Sequence, residues 1–194
     1  MEHWQYYLRG RVLELCGLKP QAIAAYAAAG RAKPGFLRPV NRIAYLLASL
    51  DRFADAEPHF QAVLRADPGN AVAHFNLGYT HDKRGQYDKA VREFREATRL
   101  NPKIDRAWYG LGLAHAKLGQ HREAAEALEH AATLQPMNPH AWYQLGMALH
   151  ATGNTQRFEQ VVMHLLRFDP KMTRRLILDA GRSDLAHLVK DLAV

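Results

Sequence analysis

Apolar residues recur along this chain at helical spacing, in paired stretches broken by a glycine and closed by a proline. Between Ala71 and Ile104, the residues His74, Leu77, Gly78 and His81 follow a 3-1-3 spacing, which puts them on one face of a helix. Ala90, Phe94 and Ala97 do the same on a second helix, after a turn at Gly85 and before a stop at Pro102. The arrangement returns every 34 residues, and Pro34, Pro68, Pro102, Pro136 and Pro170 keep that interval without a slip. With proline at about 5% of residues, four further coincidences have odds on the order of 10⁻⁵. A period of this length predicts stacked helix pairs, each of which buries its apolar face only against its neighbours.

Five copies follow, at residues 3–36, 37–70, 71–104, 105–138 and 139–172, with a tail at 173–194, and we expect them to form one continuous array. The first copy is the weakest: Arg9 stands where later copies have an aliphatic residue, as befits a repeat that ends a stack. Its second helix, from about Lys19 to Arg31, begins beside Pro20, which a first helical turn tolerates. In the second copy Pro58 falls inside the expected second helix, so that helix is predicted to start late, near Asp55, or to kink. Gly85, Gly119 and Gly153 sit where a left-handed residue ends a helix. The last copy departs from the rest, with Phe158 at the small-residue position and Val162 and Leu165 further along. Its second helix is expected to pack on something other than a standard repeat. The tail reads as a helix to about Ala180, a turn at Gly181 and a helix capped by Ser183, with Leu176, Leu185, Leu188, Val189 and Leu192 among its apolar residues. It is predicted to cover the open end of the stack.

Trp108, Leu111, Gly112, His115, Ala124, Leu128, Ala131 and Pro136 resemble the signature of the tetratricopeptide-repeat family, W-x₂-L-G-x₂-Y…A-x₃-F…A…P. The copy at 71–104 carries the same positions, and the resemblance spans residues 3–172. It implies an all-α fold, a right-handed α-solenoid of stacked antiparallel helix pairs, here with C-terminal capping helices. It also implies a concave groove, lined by the first helix of each pair, that grips a peptide or helix of a partner.

A second face on those first helices is left over once the core is assigned. At 100° per residue, Val72, Phe75, Asn76, Tyr79 and Lys83 lie away from the core side. The same positions in other copies hold Arg11, then Arg38, Asn41, Arg42 and Tyr45, then Arg106, Tyr109, Leu113 and Lys117, then Tyr143 and Met147. Six basic residues stand on this face against two acidic ones, Glu14 and Asp82, whereas the rest of the chain carries twenty against seventeen. Tyrosine and arginine together are typical of interface hot spots. The face therefore reads as a peptide-binding groove for an acidic, partly apolar segment. Certain family members hold a terminal carboxylate with a fixed set of Lys, Asn and Arg. Asn76 and Arg106 fall in that register, but Asn41, Tyr45 and Gly110 occupy the remaining positions, so that clamp is incomplete.

Composition narrows the function further. The net charge of +7 is spread along the chain with no polybasic block, which argues against nucleic acid. No apolar run of about 20 residues exists, so no membrane span is expected. No signal peptide is evident, and the single Cys16 suits a reducing, cytoplasmic setting. Among eleven histidines, His81 and His115 fall in interior slots, and the spacing of His140 and His150 matches no recognised metal motif. No catalytic constellation, cofactor motif or metal set emerges. The chain reads as a non-catalytic protein-interaction scaffold. Two alternatives stay open: a regulatory or substrate-recruiting array of a larger enzyme, such as a glycosyltransferase, and a self-assembling scaffold.

Overall fold

The computed structural model describes residues 1–190, and every described regular element is a helix. They fall into two compact units, one from Met1 to Leu100 and the other from Asn101 onward. The first unit holds α1 (Glu2–Leu15), α2 (Lys19–Ala32), α3 (Leu37–Ala48), α4 (Phe53–Ala66), α5 (Ala71–Lys83) and α6 (Tyr87–Leu100). The second holds α7 (Asp105–Lys117), α8 (His121–Leu134), α9 (Pro139–Ala151), α10 (Thr155–Leu166), α11 (Pro170–Asp179) and a short 3₁₀ helix (Ser183–Val189). Within each unit, successive helices pack as neighbours, odd-numbered first helices on even-numbered second ones.

The turn between the helices of a pair is a left-handed residue at a constant interval: Gly17, Asp51, Gly85, Gly119 and Gly153, with φ of 75°, 57°, 70°, 74° and 72°. Asp51 is the one non-glycine with positive φ among the described residues, and aspartate is among the few that tolerate it. Asn70 and Asn138 cap the helices that begin the third and fifth pairs by accepting from backbone N–H groups of the first turn. Pro58 neither delays α4 nor interrupts it. The helix begins at Phe53, earlier than the predicted Asp55, and Pro58 lies on the exposed side. The carbonyl it leaves without a donor belongs to exposed Ala54, where water serves instead.

In the first, third and fourth pairs a glycine on the first helix admits a large side chain from the second helix sixteen positions on; in the second pair that position is Ala44, sixteen before Phe60. A β-carbon at Gly10 would meet the Tyr26 ring at 2.6 Å, one at Gly78 the Phe94 ring at 2.8 Å, and one at Gly112 Leu128 at 2.5 Å. Tyr26, Phe60, Phe94 and Leu128 are buried, each contributing about 1.5–3 kcal/mol of transfer free energy. Leu77, Leu111 and Leu145 sit beside the close approaches and are buried too.

The last pair breaks this rule. Its corresponding residue is Val162, and the atoms that come nearest to Gly146 belong instead to Leu176 of α11, 2.7 Å from the would-be β-carbon. Phe158, wholly buried at the position that is alanine in the other copies, enlarges α10 on its other turn. Leu176, Ile177 and Val189 join the core of the second unit, so the tail covers its end as the sequence implies. Two details differ from expectation. The segment after Gly181 is a 3₁₀ helix, and Ser183 is its first residue, with Arg182 at the cap position and no side-chain capping bond. Leu192 lies outside the described residues.

Candidate functional site

Every residue assigned to the second face keeps some solvent exposure. In the first unit these side chains form cation–aromatic pairs. The guanidinium of Arg38 stands 5.4 Å from the Trp4 ring centre, that of Arg42 5.7 Å from Tyr45, and the Lys83 ammonium 5.3 Å from Tyr79. Tyr45 is 53% exposed and Tyr79 41%, so these rings offer apolar area to a visitor while a cation borders each of them. Phe75 is half-buried, its ring 6.0 Å from that of Phe94 and edged by half-buried Asn76. Asn41 is half-buried beside Arg42, and Arg11 is exposed on α1.

Arg42 is not a free cation. It forms a two-point ion pair with Glu14, through Nε at 3.1 Å and through Nη2. The Tyr26 hydroxyl donates to the same carboxylate at 2.6 Å. Burial first, and then the bond to Glu14, pushes the Tyr26 phenol up to about 12. Glu14, one of the two acidic residues on this face, is thereby a structural link between α1, α2 and α3. The exposed positive charge of the first unit's face is carried by Arg11, Arg38 and Lys83.

In the second unit Arg106 and Lys117 are exposed at opposite ends of α7, while Tyr109 and Leu113 between them are half-buried. Burial raises the Tyr109 phenol. On α9, Tyr143 and Met147 pack partly against the unit's core. The tail engages the first of them: the Tyr143 hydroxyl donates to Asp179 at 2.6 Å, and the Arg175 guanidinium lies 5.4 Å from its ring. The bond to Asp179 is the main reason the Tyr143 phenol is raised.

Trp4 was overlooked by the sequence reading. It is 41% exposed, touches the Tyr7 and Phe36 rings and supports Arg38. The signal was available, because Trp4 falls 34 residues before Arg38 and shares its position on the face.

The histidines in repeat positions have structural partners. His81 and His115 donate from Nδ1 to Gln86 and Gln120, at 2.9 and 2.6 Å, each five residues on. Trp108 and Trp142 donate from Nε1 to the carbonyls of Pro102 and Pro136, six residues back, at 2.9 and 2.8 Å. His74 occupies the equivalent position and places Nε2 3.1 Å from the Pro68 carbonyl, so it takes over the tryptophan's bond. No described helix is long and apolar enough to cross a membrane.

Solved structures share this architecture. A MamA protein is 21% identical, with 99% of this chain and 97% of that one covered at a TM-score of 0.78. MamA from Desulfovibrio magneticus RS-1, starting at its residue 41, is also 21% identical, with 93% and 96% covered and a TM-score of 0.77. YrrB, a TPR protein with an unusual peptide-binding site, is 20% identical, with 91% and 90% covered and a TM-score of 0.79. At such identities the likeness is one of fold. A search of the curated proteins found no match. The family profile of the tetratricopeptide repeat matches residues 41–85, 75–129 and 112–172, taking in most of the chain. With the 34-residue period, the glycine approaches and the recurring helix pairs already in view, the chain belongs to the tetratricopeptide-repeat family.

Proposed function

We propose that the protein is a non-catalytic interaction scaffold whose first-helix faces bind an acidic, partly apolar peptide or helix of another protein. The observation that carries this reading is the row of exposed aromatic rings flanked by cations on the first unit, Trp4 with Arg38 and Tyr79 with Lys83. Rings supply apolar anchoring at low entropic cost, and the adjoining charges select carboxylates. YrrB, with its peptide-binding site, supports the same reading by analogy of fold.

The test is a selection of random 15-residue peptides on the full-length protein, followed by fluorescence anisotropy of the enriched ones at low and high salt. Acidic peptides with aliphatic or aromatic anchors are expected. Arg11→Glu with Arg38→Glu should weaken them at least tenfold, and salt should weaken them on the native protein. Arg42 is left alone, because its reversal would break the Glu14 link. Enrichment of basic peptides, or affinity indifferent to the double reversal, would overturn the proposal.

A further inference from the structure

A different surface of the first unit carries a cleft. Between α4 and α6, with α5 as its floor, lies a cleft of about 520 Å³ lined by Arg65, His74, His81, Lys89 and Arg92 together with the carboxylates of Glu57 and Glu93. Its origin is a change of side-chain size. His74 and His81 stand where the repeat signature has Trp and Tyr, and both imidazoles are smaller than the rings they replace. The shortfall leaves open space and lines it with nitrogen.

The charges around this space are unequally used. Glu57 is ion-paired with Arg84, and Glu93 is hydrogen-bonded to His74, whose Nδ1 is 2.7 Å away. Arg65, Lys89 and Arg92 are exposed and have no such partner among the described residues. The corresponding place in the second unit is a smaller cleft of about 270 Å³. There the position of Lys89 is held by Arg157, which is ion-paired with Glu129. The position of Glu129 is held in the first unit by Gln61, which is turned to Glu57 at 3.1 Å and has no charge for Lys89. His81 is 3% exposed and spends Nδ1 on Gln86, leaving Nε2 as the nitrogen available to the cleft.

We propose that this cleft binds a small, multiply charged anion of the phosphate class, held by Lys89, Arg92 and Arg65 with His81 Nε2 beneath it. Three cations lining one cleft suit an anion of higher charge than a single carboxylate. An anion seated there favours the imidazolium form of His81, whose Nε2–H then donates to it. The charged and titratable groups that line the cleft with His81 are Glu57 and Arg65 of α4, His74 of α5, and Lys89, Arg92 and Glu93 of α6. With no anion present, burial is the chief cause holding the His81 ring below its ordinary range, and Lys89 and Arg92 add to it. Binding therefore favours uptake of a proton at His81.

Titration calorimetry of the full chain with inorganic pyrophosphate at constant ionic strength tests this, with sulfate as a second arm. Saturable binding at one site is expected, at least tenfold weaker in the Lys89→Gln, Arg92→Gln variant and at least tenfold weaker for sulfate. Gln61→Glu recreates the pair of the second unit, and should occupy Lys89 and weaken pyrophosphate to a similar degree. The Arg11→Glu, Arg38→Glu protein, altered on the other face, should bind pyrophosphate within twofold of native. Binding that does not saturate, that survives both cleft variants, that follows the other face's charges, or that treats sulfate as pyrophosphate would overturn the proposal.

Discussion

A single methyl group at Gly112 measures how much the helix pairs depend on close approach. The β-carbon of Gly112→Ala would lie 2.5 Å from Leu128 Cγ, 3.0 Å from its Cδ2 and 3.1 Å from the Ala124 carbonyl oxygen. Carbon atoms rest about 3.5–4.0 Å apart, so the shortest contact is about 1 Å too close. Leu128 is 1% exposed and walled in by its own core, and the carbonyl is fixed in α8, so the helices must part. Overfilling of this kind costs about 1–3 kcal/mol. Against it stands the better helix propensity of alanine, up to about 1 kcal/mol. The net loss is about 1 kcal/mol, a fall in Tm of about 2–4 °C for a chain of this size. Gly30→Ala is the matched control, since a β-carbon there meets no atom within 4 Å. It retains the propensity gain alone and should stabilise. Circular dichroism during urea and thermal unfolding reads both. In a Leu128→Ala background the penalty at Gly112 should shrink or reverse, because the obstructing atom is gone. If Gly112→Ala stabilises like Gly30→Ala, or its penalty is the same with and without Leu128, the close-approach argument is wrong.

Further expectations concern the turns, the tail and protonation. Gly119→Ala, forced to hold a φ of 74°, should lose about 1 kcal/mol, whereas Asp51→Gly should gain up to about 1 kcal/mol at the equivalent turn, both read by urea midpoints. Leu176→Ala empties the Gly146 slot and should cost about 2–5 kcal/mol, and removal of residues 173–194 should lower the melting temperature and promote aggregation seen by light scattering. Burial keeps His81 neutral in the native state, with its folded value below the 6.5 of the unfolded ring. Below about pH 6.5 the unfolded chain thus takes up a proton that the native one resists, and stability falls on acidification. His81→Tyr should flatten that loss in urea midpoints measured from pH 7.5 to 5.5.

The fold was legible because its determinants are local and recur. Each glycine that admits a ring lies sixteen residues before it, and each left-handed turn lies 34 after the last, so period and residue type carry the helix pairs without any long-range contact. Pro58 does not delay α4, because its position faces solvent and the carbonyl it orphans is open to water. The face of exposed residues could be drawn from helical angle alone, and so could Trp4, which was passed over. What angle does not contain is pairing across helices. That Arg42 belongs to Glu14, that His74 takes over the tryptophan's bond to a proline carbonyl, and that Tyr143 is met by Asp179 depend on which rotamers meet. The cleft over His81 was hidden for the same reason. The two histidines read only as interior residues, and the space created by their smaller rings exists only once α4 and α6 are placed.

The filling of the Gly146 slot by Leu176 also bears on how such a chain grows. Repeat arrays lengthen by duplication, and a new pair inserted after Pro170 would need the surface that Leu176 and Ile177 already occupy. With Val162 too short to reach the glycine and Phe158 already swollen on the neighbouring turn, α10 does not present the edge a sixth pair would match. Extension at this end would require the valine to become large and the phenylalanine small again, two coordinated changes that duplication alone does not supply. The end of the last pair is thus written into two side-chain volumes.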